Sequence, residues 1–218
     1  MQNLLEGNIV LYMKFFKENS YDIVKLFVNQ IGIAIFSMAL YTAVSIAIPT
    51  DYSSAGIEFV LSVAATLFYL VLIYIAVWEM GAKDAIRIES GKMKRGKCKG
   101  LALGTLANLP NFILTGSALI FMGIHILAGT EWCASVFAVL NLIFGFIESM
   151  YLGMIINIIP VIQDAPDCIQ DVAFFWRTLA YFVAPILSLA TTTIAYELGL
   201  RNKRIFAAFT PSARNVKK

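Results

Sequence analysis

Charge is scarce in this chain, and the scarcity excludes several classes of protein. Only 14% of its 218 residues are Asp, Glu, Lys or Arg, against 59% hydrophobic, far from the balance of a soluble globular domain. No hydrophilic stretch is long enough to fold as a soluble unit, so the chain reads as one membrane domain. The net charge of +3 is small and unevenly placed, which argues against nucleic acid and for contact with anionic lipid headgroups. Histidine occurs once, at His125. The three cysteines, Cys98, Cys133 and Cys168, make no CxxC pair and no Cys/His ligand spacing, so neither a metal site nor a cofactor is expected. HExxH, GxSxG and Walker A sequences are missing. The basic cluster also lacks the interleaved aromatics and paired acids of metal-assisted phosphoryl transfer. No enzymatic activity is expected. A Cys133–Cys168 disulfide is allowed by position, but free thiols are the preferred reading.

What the chain does have is a basic block between apolar runs. Glu79 to Gly100, EMGAKDAIRIESGKMKRGKCKG, holds seven of the seventeen Lys and Arg residues. Five of them, Lys92, Lys94, Arg95, Lys97 and Lys99, fall within eight positions. Positive charge resists translocation, so this block is expected to be a cytoplasmic loop whose cations meet anionic headgroups. Before it, residues 1–21 carry apolar positions at helical spacing (Leu4, Leu5, Ile9, Tyr12, Met13, Phe16). They suggest either a cytoplasmic interfacial helix or extra turns on the first span. Residues 26–50 form an uncharged first span, with Ala39, Ala43 and Ala47 as a small-residue ridge for close helix approach. Phe59 to Trp78 is the second span. In the third, Gly96, Gly100 and Gly104 recur every four residues, with Asn108 next in the row. That spacing suits tight helix packing or a headgroup cradle. Pro110, between Asn108 and Asn111, should disturb the backbone ladder inside the bilayer.

Residues 132–163 are apolar enough to span, but Glu148 divides them into two short runs, interrupted by Asn141, Gly145, Gly153, Asn157 and Pro160. The last span follows from about Phe174 to Leu198, and the tail after Leu200 carries six basic residues and no acid. A single crossing by 132–163 would put that tail outside. A broken or re-entrant pair keeps both basic segments on one side, as the positive-inside rule requires. The expected fold is therefore all-α: four full spans plus a broken or re-entrant helical pair, up to six membrane segments. The organisation is an interfacial segment 1–21, a transmembrane domain 22–200 and a basic tail 201–218, with both termini cytoplasmic. Glu148 is the leading site residue, since an ionisable group at membrane depth is a functional candidate by default. Arg177 is the expected counter-charge. A headgroup-level position for Glu148, where its charge costs little, stays open.

The run WEMGAKDAIRIESGKMKRGKCKGLALGTLANLPNF and the closing YELGLRNKRI resemble the central loop, third helix and basic end of small polytopic membrane proteins of low-GC Gram-positive bacteria. The resemblance implies a bacterial plasma membrane and a cytoplasmic C-terminus, and no particular activity. Two function classes fit. One is a transport-related subunit or small-solute-binding membrane component. The other is an accessory or immunity-type protein that packs against another membrane protein. Lipid, and either a partner membrane protein or a second copy of the chain, are the expected contacts.

Overall fold

The computed structural model describes residues 2–47, 53–96, 98–162 and 166–203. Its elements are α1 (Gln2–Ala47), α2 (Ser53–Glu89), α3 (Lys99–Ala128), α4 (Glu131–Ile147), a three-residue 3-10 turn (Ser149–Tyr151), α5 (Leu152–Ile158), α6 (Asp167–Val183) and α7 (Pro185–Leu200). The fold is all-α, with no strand among the described residues. Chains this apolar must pair every backbone group within their own segments when water is excluded, and the helix does so.

Four stretches are long and apolar enough to cross a membrane: Phe15–Val44, Gly56–Glu89, Lys99–Ala128 and Asp167–Leu200. In the last, Pro185 sits at the first position of α7 and Ala184 stays right-handed helical, so α6 and α7 continue one another. The helices exceed the apolar runs that announced them. α1 is a single helix of 46 residues, which absorbs 2–21 without a break. α2 runs on through Lys83, Asp84 and Arg87 to Glu89. The loop expected at 79–100 is thus only the short segment between α2 and α3. Charged residues have good helix propensity, so a helix does not end where the bilayer does.

Two sets of contacts fix which ends lie together. At one end, Lys99 Nζ meets Asp84 Oδ2 at 2.7 Å and Arg95 meets Glu197 at 2.9 Å. The Trp78 indole donates to the Lys203 carbonyl at 2.8 Å. The end of α2, the start of α3 and the end of α7 therefore share one basic end. At the other, His125 near the close of α3 reaches the Thr130 carbonyl at 3.1 Å and Asp171 of α6 at 3.5 Å. Thus α6 starts where α3 stops. The intervening pair, α4 and the 149–158 segment, bends by 83°, and α6 begins again at the His125 end.

α2 is the centre of the bundle, packing on α7, α1 and α5, while α3 packs on α4, α6 and α7. Where α2 crosses α7, a Cβ at Gly81 would overlap the Tyr196 carbonyl and one at Gly199 the Trp78 carbonyl, so the two backbones touch. Val60, Leu67, Ile120, Val139 and Leu142 face outward, as side chains against lipid should. Ala39 and Ala43 are also exposed, because α1 buries a different face (Ile23, Leu26, Gln30, Ala34, Ser37). Gly96 precedes α3 and has open space around it, so it is not part of the glycine row. Gly100 and Gly104 are, and they lie against Tyr196 and Thr192 of α7. All three cysteines are free, with Cys133 buried and Cys168 exposed.

Candidate functional site: a helix break around a buried glutamate

α4 stops at Ile147, and Glu148 leaves the helix at φ −106°, ψ 23°. A helix broken at membrane depth frees carbonyls that must find donors. Here two hydroxyls of α2 supply one of them, and the break in turn donates to α1. Ser62 and Thr66 of α2 donate to the Met150 carbonyl at 2.6 and 3.2 Å. Ser149 donates across to the Ala34 carbonyl of α1 at 2.7 Å. Gly153 follows, in van der Waals contact with the Glu58 backbone, where a Cβ would overlap the carbonyl. The break is therefore built into the packing of α1, α2 and α5.

Glu148 is fully buried at this break, and neither carboxyl oxygen has a hydrogen-bond partner. Tyr69, Tyr151 and Tyr181 lie within electrostatic reach of it. All three are buried. The Tyr181 hydroxyl is also unpartnered, and its ring packs on Phe144 at 5.2 Å between centroids.

A polar chain joins this centre to α3. Asn111 Nδ2 donates to Asn108 Oδ1 at 3.4 Å, and Asn108 Nδ2 donates to the Gly104 carbonyl at 2.9 Å and to Ser188 Oγ at 3.0 Å. Ser188 in turn pairs with the hydroxyl of Tyr69. The structure so links Asn108 and Asn111, which sequence reasoning singled out, to Ser188 and Tyr69, which it did not; Tyr69 lies within electrostatic reach of Glu148 but makes no hydrogen bond to it. Asn111 Oδ1 is left without a partner. α3 runs unbroken through Pro110.

Two expected members are elsewhere. Arg177 is not the counter-charge of Glu148. Its Nε donates to the Ile159 carbonyl at 2.7 Å and its guanidinium lies over Phe174, 5.9 Å from the ring centroid. The 18-residue separation from Ile159 brings Arg177 to the far end of α5, not to the break. Asn141 is half-exposed two turns up α4, away from the break. Among the described residues no group of three or more His, Cys, Asp or Glu side chains could hold a metal ion.

The basic segment divides in use. Lys99 and Arg95 are spent on Asp84 and Glu197. Lys92 and Lys94 are exposed, and Lys97 lies outside the described residues. Asp84, missed in the sequence, is buried and accepts from both Lys99 and the Tyr196 hydroxyl, at 2.7 and 2.9 Å. Arg87 stands 3.5 Å from its other oxygen.

No family model, curated protein or solved structure matches this chain. The function must be argued from the geometry.

Proposed function

We propose that this integral membrane protein is a transport-related subunit of a bacterial plasma membrane, in which Glu148 accepts a positive charge. That charge is a proton or the cationic group of a small solute. The observation that carries the reading is the fully buried Glu148 carboxyl with no partner on either oxygen. Desolvating a carboxylate without donors or a cation is costly, so the centre calls for a proton or a cation to complete it. Tyr69, Tyr151 and Tyr181 add three buried phenol groups within electrostatic reach of the carboxyl. A helix interrupted within its membrane segment is also how membrane transporters expose polar groups to cargo. On this reading the basic end is cytoplasmic, with both termini inside, in accord with the positive-inside rule.

The test is Glu148→Gln, which keeps shape and hydrogen bonding but removes the charge. Thermal shift of the purified protein with a panel of small amines and other solutes should show a ligand that protects wild type and not the variant, at equal folded yield. Equal protection of both proteins, or a well-folded variant with the phenotype of wild type in cells, would refute the reading.

One observation favours the accessory-protein alternative. Ala39 and Ala43 form an exposed small-residue row on α1, a surface on which a partner helix can approach closely. In that case no solute protects the protein, and Ala39→Leu with Ala43→Leu releases a co-purifying membrane partner.

A further inference from the structure

Near the break, beside Glu58, α1, α2 and the 3-10 turn line a cavity of about 10 Å³. It has room for one water-sized particle. Its polar lining is Ser37 and Tyr41 from α1, Glu58 and Ser62 from α2, and Ser149 from the turn. We propose that this cavity binds a single hard monovalent cation of sodium size. The proposal deepens the transport reading by naming a coupling ion, but the site itself does not include Glu148.

The argument turns on where the protons are. Ser62 spends its hydroxyl proton on the Met150 carbonyl, and Ser149 spends its own on the Ala34 carbonyl. Tyr41 directs its proton to Glu58 Oε2 at 3.3 Å. These oxygens can offer only lone pairs to the cavity. Glu58 adds a carboxylate. Ser37 Oγ is buried and has no hydrogen-bond partner, and it completes a lining of oxygen atoms with one uncommitted donor. Oxygen ligands with a single carboxylate suit a hard cation. A water molecule could donate to two of these acceptors and accept from Ser37, so water is the competing occupant that the sodium, potassium and choline comparison separates from a cation. The volume excludes an amine-bearing solute. Arg177 lies within electrostatic reach of Tyr41, and its positive charge opposes a cation here. It is bonded to the Ile159 carbonyl, and among the described residues it makes no ion pair with Glu58. Its opposition gives the proposal a signed consequence: removing that charge should tighten binding.

The test uses the full-length protein in nanodiscs, with sodium, potassium or choline chloride at constant ionic strength. Binding of radiolabelled sodium and the unfolding temperature are both read. Wild type should bind one sodium and be stabilised saturably, with no comparable response to potassium or choline. Ser37→Ala should weaken binding about tenfold, Glu58→Gln should abolish it, and Arg177→Gln should strengthen it. Ser37→Ala removes one atom and keeps the test sound if Glu58→Gln folds poorly. Identical responses to sodium and choline would mean that the cavity holds only water and would overturn the proposal. So would sodium binding unchanged in well-folded Ser37→Ala and Glu58→Gln. Glu148→Gln should retain sodium binding. If it alone abolishes binding, the ion sits at Glu148, this site is refuted, and the reading of Glu148 as a charge acceptor stands.

Discussion

Asp84 offers the most quantitative test of the fold. Its carboxylate is 5% exposed, against 13% for the Lys99 side chain 2.7 Å away, and it also accepts the Tyr196 hydroxyl at 2.9 Å. The three residues come from α2, α3 and α7, so one carboxylate ties three helices together at the basic end. Asp84→Asn keeps an acceptor for Tyr196 but strands the Lys99 ammonium. Losing one partner of a buried pair costs about 3–5 kcal/mol. The residual exposure of Lys99 puts the expected loss at the lower end, about 3 kcal/mol. Lys99→Met in the Asp84→Asn background removes the stranded charge and keeps the methylene packing. The double variant should therefore recover most of the loss, leaving a coupling of about 2 kcal/mol between the two positions. Equilibrium unfolding in mixed micelles, followed by tryptophan fluorescence, measures this, and Trp78 at the same end is a suitable reporter. An Asp84→Asn protein within about 0.5 kcal/mol of wild type, or strictly additive variants, would show that the pair is a surface feature without structural weight.

Two further outcomes follow from the packing and the threading. A Cβ at Gly104 would overlap the Thr192 side chain, so Gly104→Val should separate α3 from α7 and cost about 1–3 kcal/mol; the same unfolding assay reads it, and Gly96→Val, in open space, is the neutral control. Cys98 and Cys168 are exposed near opposite ends while Cys133 is buried. A membrane-impermeant maleimide applied to intact cells should therefore label Cys168 alone, add Cys98 after permeabilisation, and reach Cys133 only in denaturant. Labelling of Cys98 from outside would reverse the proposed orientation.

The membrane class and the spans were legible because a run of about twenty apolar residues needs no tertiary context to be read. The broken fourth segment was legible for the same reason: Glu148 and the glycines leave two runs too short to cross. What the sequence could not show was which charges are buried. Asp84 stands among Glu79, Lys83, Arg87 and Glu89 and looks like one member of a solvated helix end. Its partners lie 15 and 112 residues away. One signal was present: Val77, Gly81 and Asp84 share a helical face, so the acid continues a row of core and close-contact positions. The pairing of Glu148 with Arg177 failed because membership of the same end of the membrane says nothing about which side chains converge. Ser37, Ser62 and Ser149 gave no signal either, since hydroxyls within a span ordinarily bond back to their own helix. Only the structure shows two of them reaching other elements.

Those crossing hydroxyls bear on how the molecule can move. The basic end is closed by backbone contact at Gly81 and Gly199 and by the buried Asp84–Lys99 pair, and opening it would strand a charge. The break is held by Ser149 to Ala34 and by Ser62 and Thr66 to Met150. Interhelical hydrogen bonds in membranes average about 0.6 kcal/mol each, so these three together contribute about 2 kcal/mol. That is less than the cost of breaking the ion pair alone. Among the described residues, every buried side-chain atom lacking a hydrogen bond, from Ser37 and Asn111 to Thr130, Glu148 and Tyr181, lies away from the basic end. A bundle fixed at one end and lightly held at a polar break has its least costly rearrangement at α4 and α5. The proposed charge acceptance at Glu148 and ion binding beside Ser149 would both act on that element. A cation at either position would therefore bias the same element, which is the physical requirement for coupling one site to the other.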